Sequence, residues 1–449
     1  MSARVGGSDP ERVADALEYL RRLVDHEISS VGISAGSVEG LSLERPAKVL
    51  EALGRPDKAL RTVHITGTNG KGSVARMVEA LVTASGLRVG TYLSPEGTVQ
   101  ERIRIDGAPI DDASLADAVL TVRNVADAID VTLSAFEAVT LTALVAFADA
   151  PVDVAVVEVG LLGRFDATNI IDGDVAVVTS VGGDHTDFRD GWLERVAAEK
   201  AGIIKPSSVV VLGDLDDALV PIFAGEDHEH LTRFGHDFEL VDDRVALGGR
   251  QIEVVTSHRS QLGALVPLHG AHQSVNAAVA LEATEAVLHV NLTDETVAAA
   301  FDSLSLRGRV EVAAVEPLIV LDGGHNPDAA AALGSTLAES FTVAGRRVGV
   351  VAMLAGRSPH RYLEALTSHF PLDLVIAASL GGERGLDGSA IVDAAQALGL
   401  AVVESPTLEA GLRRAIEGGD ESDLIVVCGS FRVLEPAHRT LKALQHEHP

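Results

Sequence analysis

Cys428 is the only cysteine in 449 residues, so the chain can close no disulfide on itself and supply no cysteine-rich zinc site. That points to a reducing, cytoplasmic setting. Aromatic side chains are also scarce, at 3% against 47% hydrophobic residues. The cores must therefore be built from Ala, Val, Leu and Ile, as buried parallel strands and their covering helices are. The expected class is α/β. Positive charge is short too, with 36 Lys and Arg against 65 Asp and Glu and a formal net charge of −29. Such a balance argues against nonspecific binding to nucleic acid or an anionic membrane. It leaves anionic small substrates open, because screening over about 8 Å lets a site be governed by its own few charges. No apolar run reaches the roughly 18 residues of a membrane span; Asp149, Asp153 and Glu158 interrupt the longest candidate. Arg4, Asp9, Glu11 and Arg12 leave no apolar core for a signal peptide.

What is present centres on Val63–Ser73, V-H-I-T-G-T-N-G-K-G-S. Arg61 to Thr66 alternates and β-branches like a buried strand, and Val74, Met77, Val78, Leu81 and Val82 fall at helical spacing. The segment reads as strand, glycine-rich turn, helix. Gly67, Gly70 and Gly72 allow the turn positive φ and bring N–H groups close to a ligand, and the helix start adds its positive end. Lys71 supplies a cation for outer phosphates and Ser73 a hydroxyl near a magnesium ion. The spacing differs from the usual G-x-x-x-x-G-K-[ST].

Around this loop the chain alternates strands and helices. Helices are expected at Pro10–Val24 and Pro46–Leu53 with a Gly- and Ser-rich loop, Ser29–Ser42, between them, and central strands at Asp153–Glu158 and Asp174–Val181. In parallel sheets ligands gather at the carboxyl ends of strands, which places Glu158 and the Gly182–Asp187 segment for chemistry. Val209–Leu212 reads as a further strand, and the region to Ser260 as acidic loops and short strands. Within it Glu226–His230, E-D-H-E-H, has metal-binding residue types but no second cluster at ligand spacing, and reads as a solvated loop. Leu306–Arg309 reads as a hinge, after which strands at Leu318–Leu321, Arg347–Val351, Leu374–Ala378 and Asp423–Cys428 alternate with helices as a second α/β domain. The expected domains are 1–304 and 305–449.

Several motifs accompany the phosphate loop in order: Y-L-S-P (Tyr92–Pro95), E-R-I (Glu101–Ile103), A-F-E-A-V-T (Ala135–Thr140), E-V-G-L-L-G-R-F-D-A-T-N (Glu158–Asn169), D-H-T-D-F (Asp184–Phe188), E-K-A-G-I (Glu199–Ile203), H-Q-S-V-N (His272–Asn276), R-G-R (Arg307–Arg309), D-G-G-H-N-P (Asp322–Pro327) and C-G-S-F (Cys428–Phe431). A strand-end carboxylate and an imidazole beside a phosphate loop suit a magnesium-nucleotide site. With these motifs the chain, from about Leu43 onward, resembles the bacterial bifunctional folylpolyglutamate synthases/dihydrofolate synthases of the Mur ligase superfamily.

The resemblance implies a P-loop-containing, Mur-ligase-like domain that binds ATP and folate, followed by a smaller Rossmann-like glutamate-ligase domain. It implies ATP-dependent joining of L-glutamate to dihydropteroate or folates through an acyl phosphate, in a cytoplasmic enzyme expected as a monomer. Thr68, Asn69, Gly70, Lys71, Gly72 and Ser73 would hold ATP phosphates, with Asn276, Arg309 and Asp322 completing the ATP site across the hinge. Magnesium would fall on Ser94, Glu158 and His185. Ser134, Ala135, Phe136 and Glu137, with Phe165, Asp166 and Ala167, match a pterin-binding surface on which Phe136 can stack. Lys71, Lys200 and His325 match catalytic positions, His325 orienting phosphate or incoming glutamate. Lys200 matches a lysine that is carbamylated; the plainer alternative is a surface ion pair with Glu199 or Glu194. The chain departs from the family at Glu96, in place of a histidine, at Leu162, in place of a glycine, and at Ala355–Ser358, in place of Asp-Lys-Asp.

Overall fold

The computed structural model describes residues 9–23, 42–94, 97–184, 186, 188–258, 260–382 and 384–447. Residues 29–41 of the expected loop Ser29–Ser42, Glu96 and the expected metal ligand His185 lie outside the described residues. By internal contacts the chain divides into two units. One comprises Met1–Asp242, Glu253–Ala264 and Val275–Leu304; the other comprises Asp243–Ile252, Leu265–Ser274 and Ser305–Pro449. The sequence reading kept everything up to residue 304 in the first domain, whereas two short segments before it go with the second unit.

The first unit is built on an eight-stranded sheet. Its strands are β1 (Arg61–Thr66), β2 (Val89–Tyr92), β3 (Ile103–Ile105), β4 (Ala108–Pro109), β5 (Val154–Glu158), β6 (Val175–Val178), β7 (Val209–Leu212) and β8 (His230–Arg233), in the order β4-β3-β2-β5-β1-β6-β7-β8. From β2 to β8 all pairings are parallel, and β3 and β4 add an antiparallel edge. β5 and β6 are largely apolar and β-branched, β1 mixes Val and Ile with Thr and His, and all but Arg61 of the residues in the three strands are buried, as expected for strands covered on both faces. They occupy the middle, so the phosphate loop leaves the centre of the sheet. Three further strands, β9 (Glu239–Ala246), β10 (Gly249–Val255) and β11 (Gln261–Val266), form a sheet of order β11-β10-β9.

The second unit carries a six-stranded sheet of β12 (Glu311–Val315), β13 (Leu318–Leu321), β14 (Arg347–Val351), β15 (Leu374–Ala378), β16 (Val402–Ser405) and β17 (Leu424–Cys428), ordered β12-β13-β17-β14-β15-β16. All pairs but β12-β13 are parallel. Alternate residues serve two cores: Val320, Val351, Val375 and Val426 join one, and Ile319, Val350, Ile376 and Val427 the other. This is period-two side-chain placement in a sheet with helices on both faces.

Helix starts follow from short polar caps. Asp111, Ser134, Thr293, Asn326 and Thr407 each accept a backbone N–H of the first turn they precede. Among the described residues no helix is long and apolar enough to cross a membrane.

Candidate active site

The phosphate loop runs from Thr66, the last residue of β1, to the helix Lys71–Ala84. Gly70 caps that helix with φ of 88°, a left-handed conformation that glycine adopts without steric cost. The loop is held from the β6 end: Thr68 N donates to Ser180 O at 2.9 Å, Asn69 N to Ser180 Oγ at 2.9 Å, and Thr179 Oγ1 to Asn69 O at 2.6 Å. Lys71 Nζ curls over the loop and donates to Gly67 O at 3.0 Å and Thr68 O at 3.3 Å. Ser73 is buried in the first helical turn. Asn276 is brought to the same place, since a Cβ on Gly70 would stand 2.5 Å from Asn276 Oδ1. Its helix, Ala271–Leu288, begins some 200 residues after the loop.

Glu158 ends β5 next to the loop, in register with Ile65 of β1. Its buried carboxylate accepts the backbone N–H of Ser94 at 3.0 Å. Two of the three expected metal-binding residues therefore meet. Among the described residues the donor that this meeting supplies is the Glu158 carboxylate at the Ser94 turn, hard oxygen chemistry that fits a cation such as magnesium. The E-D-H-E-H stretch is otherwise engaged: Glu226 pairs with Arg164, and His228 Nδ1 meets Glu226 O at 2.7 Å. Among the described residues no group of three or more His, Cys, Asp or Glu is placed to hold a metal ion.

Lys200 lies on the helix Trp192–Ala201 and is 3% exposed. Burial, then the positive charge of Lys71, pushes its amine down to about 7, against the opposing pull of Asp184. At that burial Lys200 does not lie on the helix surface, where the alternative ion pair with Glu199 or Glu194 was expected. The helix end packs on the E-V-G-L-L-G-R-F-D loop, where Arg164 N donates to Glu199 O at 2.8 Å and a Cβ on Gly163 would fall 3.2 Å from Lys200 Cα.

The expected pterin residues divide into two kinds. Ser134 and Glu137 are spent on a capping box for the helix Ala135–Asp149, with Glu137 also paired to Arg45 at 3.0 Å. Phe136 faces the other loop: a Cβ on Gly160 would stand 2.5 Å from Phe136 Cζ and 3.2 Å from Asp166 Oδ2. Asp166 is buried, which raises its pKa, and it accepts Thr168 N, Thr168 Oγ1 and Leu161 N. Ala167 is buried beside it and Phe165 is half-buried. Sequence reasoning missed Arg45 and Arg102. The latter stacks over both Tyr92 and Phe136 at 5.6 Å and donates to Tyr92 Oη at 3.0 Å. Arg102 lay within the quoted E-R-I motif; Arg45 had no local signal.

In the second unit Asp322 follows β13 and is buried, which raises its pKa. It accepts Gly324 N at 2.7 Å and Val310 N at 3.0 Å. Arg309 lies over the Phe431 ring at 4.1 Å, and His325 meets the same ring edge-on at 6.3 Å. Arg309 and His325 are thus gathered around one aromatic residue that the sequence reading had quoted without a role, and the charges of both act on Asp322.

Comparison with known proteins gives this arrangement a family. Residues 65–284 match the Mur ligase middle domain and residues 308–431 the Mur ligase glutamate ligase domain. A dihydrofolate synthase/folylpolyglutamate synthase of Mycobacterium tuberculosis is 35% identical over 411 residues, 86% of this chain and 82% of its own. A crystal structure of Mycobacterium tuberculosis folylpolyglutamate synthase complexed with ADP and AMPPCP superposes with a TM-score of 0.85 at 33% identity, covering 96% of this chain and 98% of the other. A bifunctional folylpolyglutamate synthase/dihydrofolate synthase with Mn, AMPPNP and L-glutamate bound superposes with a TM-score of 0.79 at 30% identity, over 96% and 98% of the two chains. Both regions of the sequence, and the fold as a whole, agree: this chain belongs to the dihydrofolate synthase/folylpolyglutamate synthase family of Mur ligases and is an ATP-dependent acid–amino-acid ligase.

Proposed function

We propose that this enzyme joins the amine of L-glutamate to the carboxylate of dihydropteroate or of a folate, by way of an acyl phosphate. The observation that carries the reading is the shared strand end at which the phosphate loop leaves β1 while the buried Glu158 ends β5 in register with Ile65. It is supported by the relatives, one of which was solved with Mn, AMPPNP and L-glutamate.

A carboxylate resists attack by an amine because oxide is a poor leaving group. Transfer of the γ-phosphoryl group to a carboxylate oxygen releases ADP and turns that oxygen into part of a phosphate leaving group. The glutamate amine then attacks the acyl carbon, phosphate departs, and the amine gives up a proton as the amide forms. The chain's share is positioning and neutralising charge. In this reading Thr68, Asn69, Gly70, Lys71, Gly72 and Ser73, with Asn276, hold the nucleotide, the backbone N–H groups and Lys71 taking the phosphates. Arg309 and Asp322 contribute to nucleotide binding, and His325 orients phosphate or the incoming glutamate. Ser94, Glu158 and His185 hold magnesium, which supplies charge neutralisation at the transferring phosphoryl group. Phe136, with Ala135, Phe165, Asp166 and Ala167, receives the pterin, Ser134 and Glu137 fixing the turn that presents Phe136.

Lys200 is carbamylated in this proposal. A buried amine pushed down to about 7 is about half neutral at pH 7, and the neutral form is a nucleophile for carbon dioxide: the C–N bond forms as one C=O π bond of carbon dioxide opens onto oxygen, the nitrogen loses a proton, and the side chain becomes an anion. We place the enzyme in the cytoplasm as a monomer.

The test is ADP release with L-glutamate and a panel of dihydropteroate, tetrahydrofolate and a muramyl acceptor. Release is expected only when glutamate and a pteroyl carboxylate are both present. Equal turnover with neither would overturn the ligation chemistry, and a preference for the muramyl acceptor would overturn the acceptor assignment.

A further inference from the structure

We propose that His64 and Thr66, on the strand that feeds the phosphate loop, are positioning residues that staple the acceptor loop 158–169 into the shape that receives the pteroyl substrate. The proposal deepens the reading of that loop as the acceptor site. β1 is a central strand with parallel neighbours on both sides, where Val and Ile are the usual occupants. It nevertheless carries three buried polar side chains at alternate positions and so on one face; Thr62 bonds to Asp172 and Asp174, which leaves His64 and Thr66.

Both reach the same loop. His64 Nε2 lies 2.9 Å from Thr168 Oγ1. The Thr168 hydroxyl has one proton and donates it to Asp166 Oδ1 at 2.6 Å, so toward His64 it must accept, which makes His64 the Nε2–H tautomer. Burial and the charge of Lys205 push this imidazole down to about 3, so the neutral tautomer persists through the physiological range. Asp166 passes the constraint on, since its Oδ2 accepts Leu161 N at 2.8 Å. The second staple is direct: Thr66 Oγ1 donates to Leu162 O at 2.6 Å.

These bonds act on backbone that resists its conformation. Leu162 has φ of 58°, a region disfavoured for residues with a Cβ, which persists where surrounding structure holds it. Gly160, two residues earlier, lies against Phe136 so closely that a Cβ would clash with the ring. Displacement of backbone 160–162 therefore moves the floor under Phe136. One strand thus carries the nucleotide loop at its end and the acceptor loop along its side.

The experiment uses two near-isosteric variants of the full chain, Thr66→Val and Thr168→Val, which remove a hydroxyl and keep the branched shape. Steady-state kinetics should show KM for the pteroyl acceptor raised about tenfold while KM for ATP stays within about twofold. A merely structural role would instead raise both constants together with a fall in Tm. Adding Leu162→Gly to Thr66→Val should recover part of the acceptor KM, because glycine takes φ of 58° unaided. Hydrogen–deuterium exchange on the same proteins should quicken at 160–169 and stay unchanged at 67–73. An unaltered acceptor KM, a parallel rise in both constants, or unaltered exchange at 160–169 would overturn the proposal. A wild-type chain that makes no amide with any pteroyl acceptor would overturn the functional reading instead, and exchange at 160–169 would still decide whether the two residues hold the loop.

Discussion

The guanidinium carbon of Arg309 lies 4.1 Å from the centroid of the Phe431 ring, and Gly323 is so close to that ring that a Cβ would come within 2.3 Å of it. Phe431 is therefore a platform whose position is set from one side by bare backbone and which aims Arg309 from the other. A cation over an aromatic face is worth on the order of 1–2 kcal/mol when partly desolvated, and about 1.4 kcal/mol is tenfold in a binding constant. Phe431→Leu is expected to raise KM for ATP by about tenfold, whereas Phe431→Tyr keeps it near the wild-type value. Steady-state kinetics across an ATP series checks this; equal KM in the leucine variant would deny the platform its role.

Gly70 offers a second test. Its φ of 88° and its closeness to Asn276 Oδ1 both refuse a side chain. Gly70→Ala should destabilise the fold by about 1–2 kcal/mol, the usual cost of left-handed backbone for an L-residue, and weaken nucleotide binding further by pushing Asn276 aside. Denaturant midpoints and titration with a fluorescent ATP analogue separate the two effects. Removing the Asn276 side chain as well should leave the stability loss in place, because the backbone strain is independent of that neighbour.

Lys200 links site chemistry to pH. In the unfolded chain its amine keeps a proton up to about 10.5, and in the folded chain, unmodified, only up to about 7. Between those values the unfolded state binds more protons, so stability of the uncarbamylated protein rises with pH across the window, and the burial penalty is felt in full below it. In buffers freed of carbon dioxide, wild-type Tm should therefore gain on that of Lys200→Met between about pH 6 and about pH 9. With labelled bicarbonate, 13C NMR should show a protein-bound carbamate that Lys200→Arg lacks, and Lys200→Ala should lose most activity and regain a little with a short carboxylic acid. Full activity of Lys200→Ala without any added acid would sink the carbamate.

Legibility in the sequence followed burial. Val209–Leu212, Leu318–Leu321, Arg347–Val351 and Leu374–Ala378 were delimited from sequence because strands buried on both faces are largely apolar runs, and Arg61–Thr66 by its alternation and β-branching. β12 and β16 are edge strands of mixed exposure, and their weak patterns were passed over. β9 and β10 escaped delimitation because Glu239–Ala246 is largely polar and half-exposed; the pairing is signalled chiefly by the Leu247-Gly248 turn between them. In the site, residues inside contiguous motifs were legible, but their partners were not. Nothing near Arg45 announces Glu137, and nothing near His64 announces Thr168, 104 residues on. Such pairings depend on which strands become neighbours, and that is a property of the sheet.

Glu158 permits the cleanest separation of fold from chemistry. Its carboxylate oxygen accepts Ser94 N at 3.0 Å, and the amide oxygen of a glutamine can accept the same bond at nearly the same volume. Glu158→Gln should therefore keep the β2–β5 strand ends together and leave Tm close to wild type. What it removes is the negative charge that a hard divalent cation requires of its carboxylate ligands. Turnover of the wild-type enzyme should vanish on chelation and return with magnesium. In the variant, the magnesium concentration needed for half-maximal rate should rise by tenfold or more, about 1.4 kcal/mol for each factor of ten, and the maximal rate should stay depressed at saturating ATP. Titrating activity against free magnesium at fixed ATP measures the shift, and Glu158→Ala provides the control in which the hydrogen bond to Ser94 is lost as well. If Glu158→Gln titrated with magnesium as the wild type does, Glu158 would be reduced to a structural tether for the Ser94 turn.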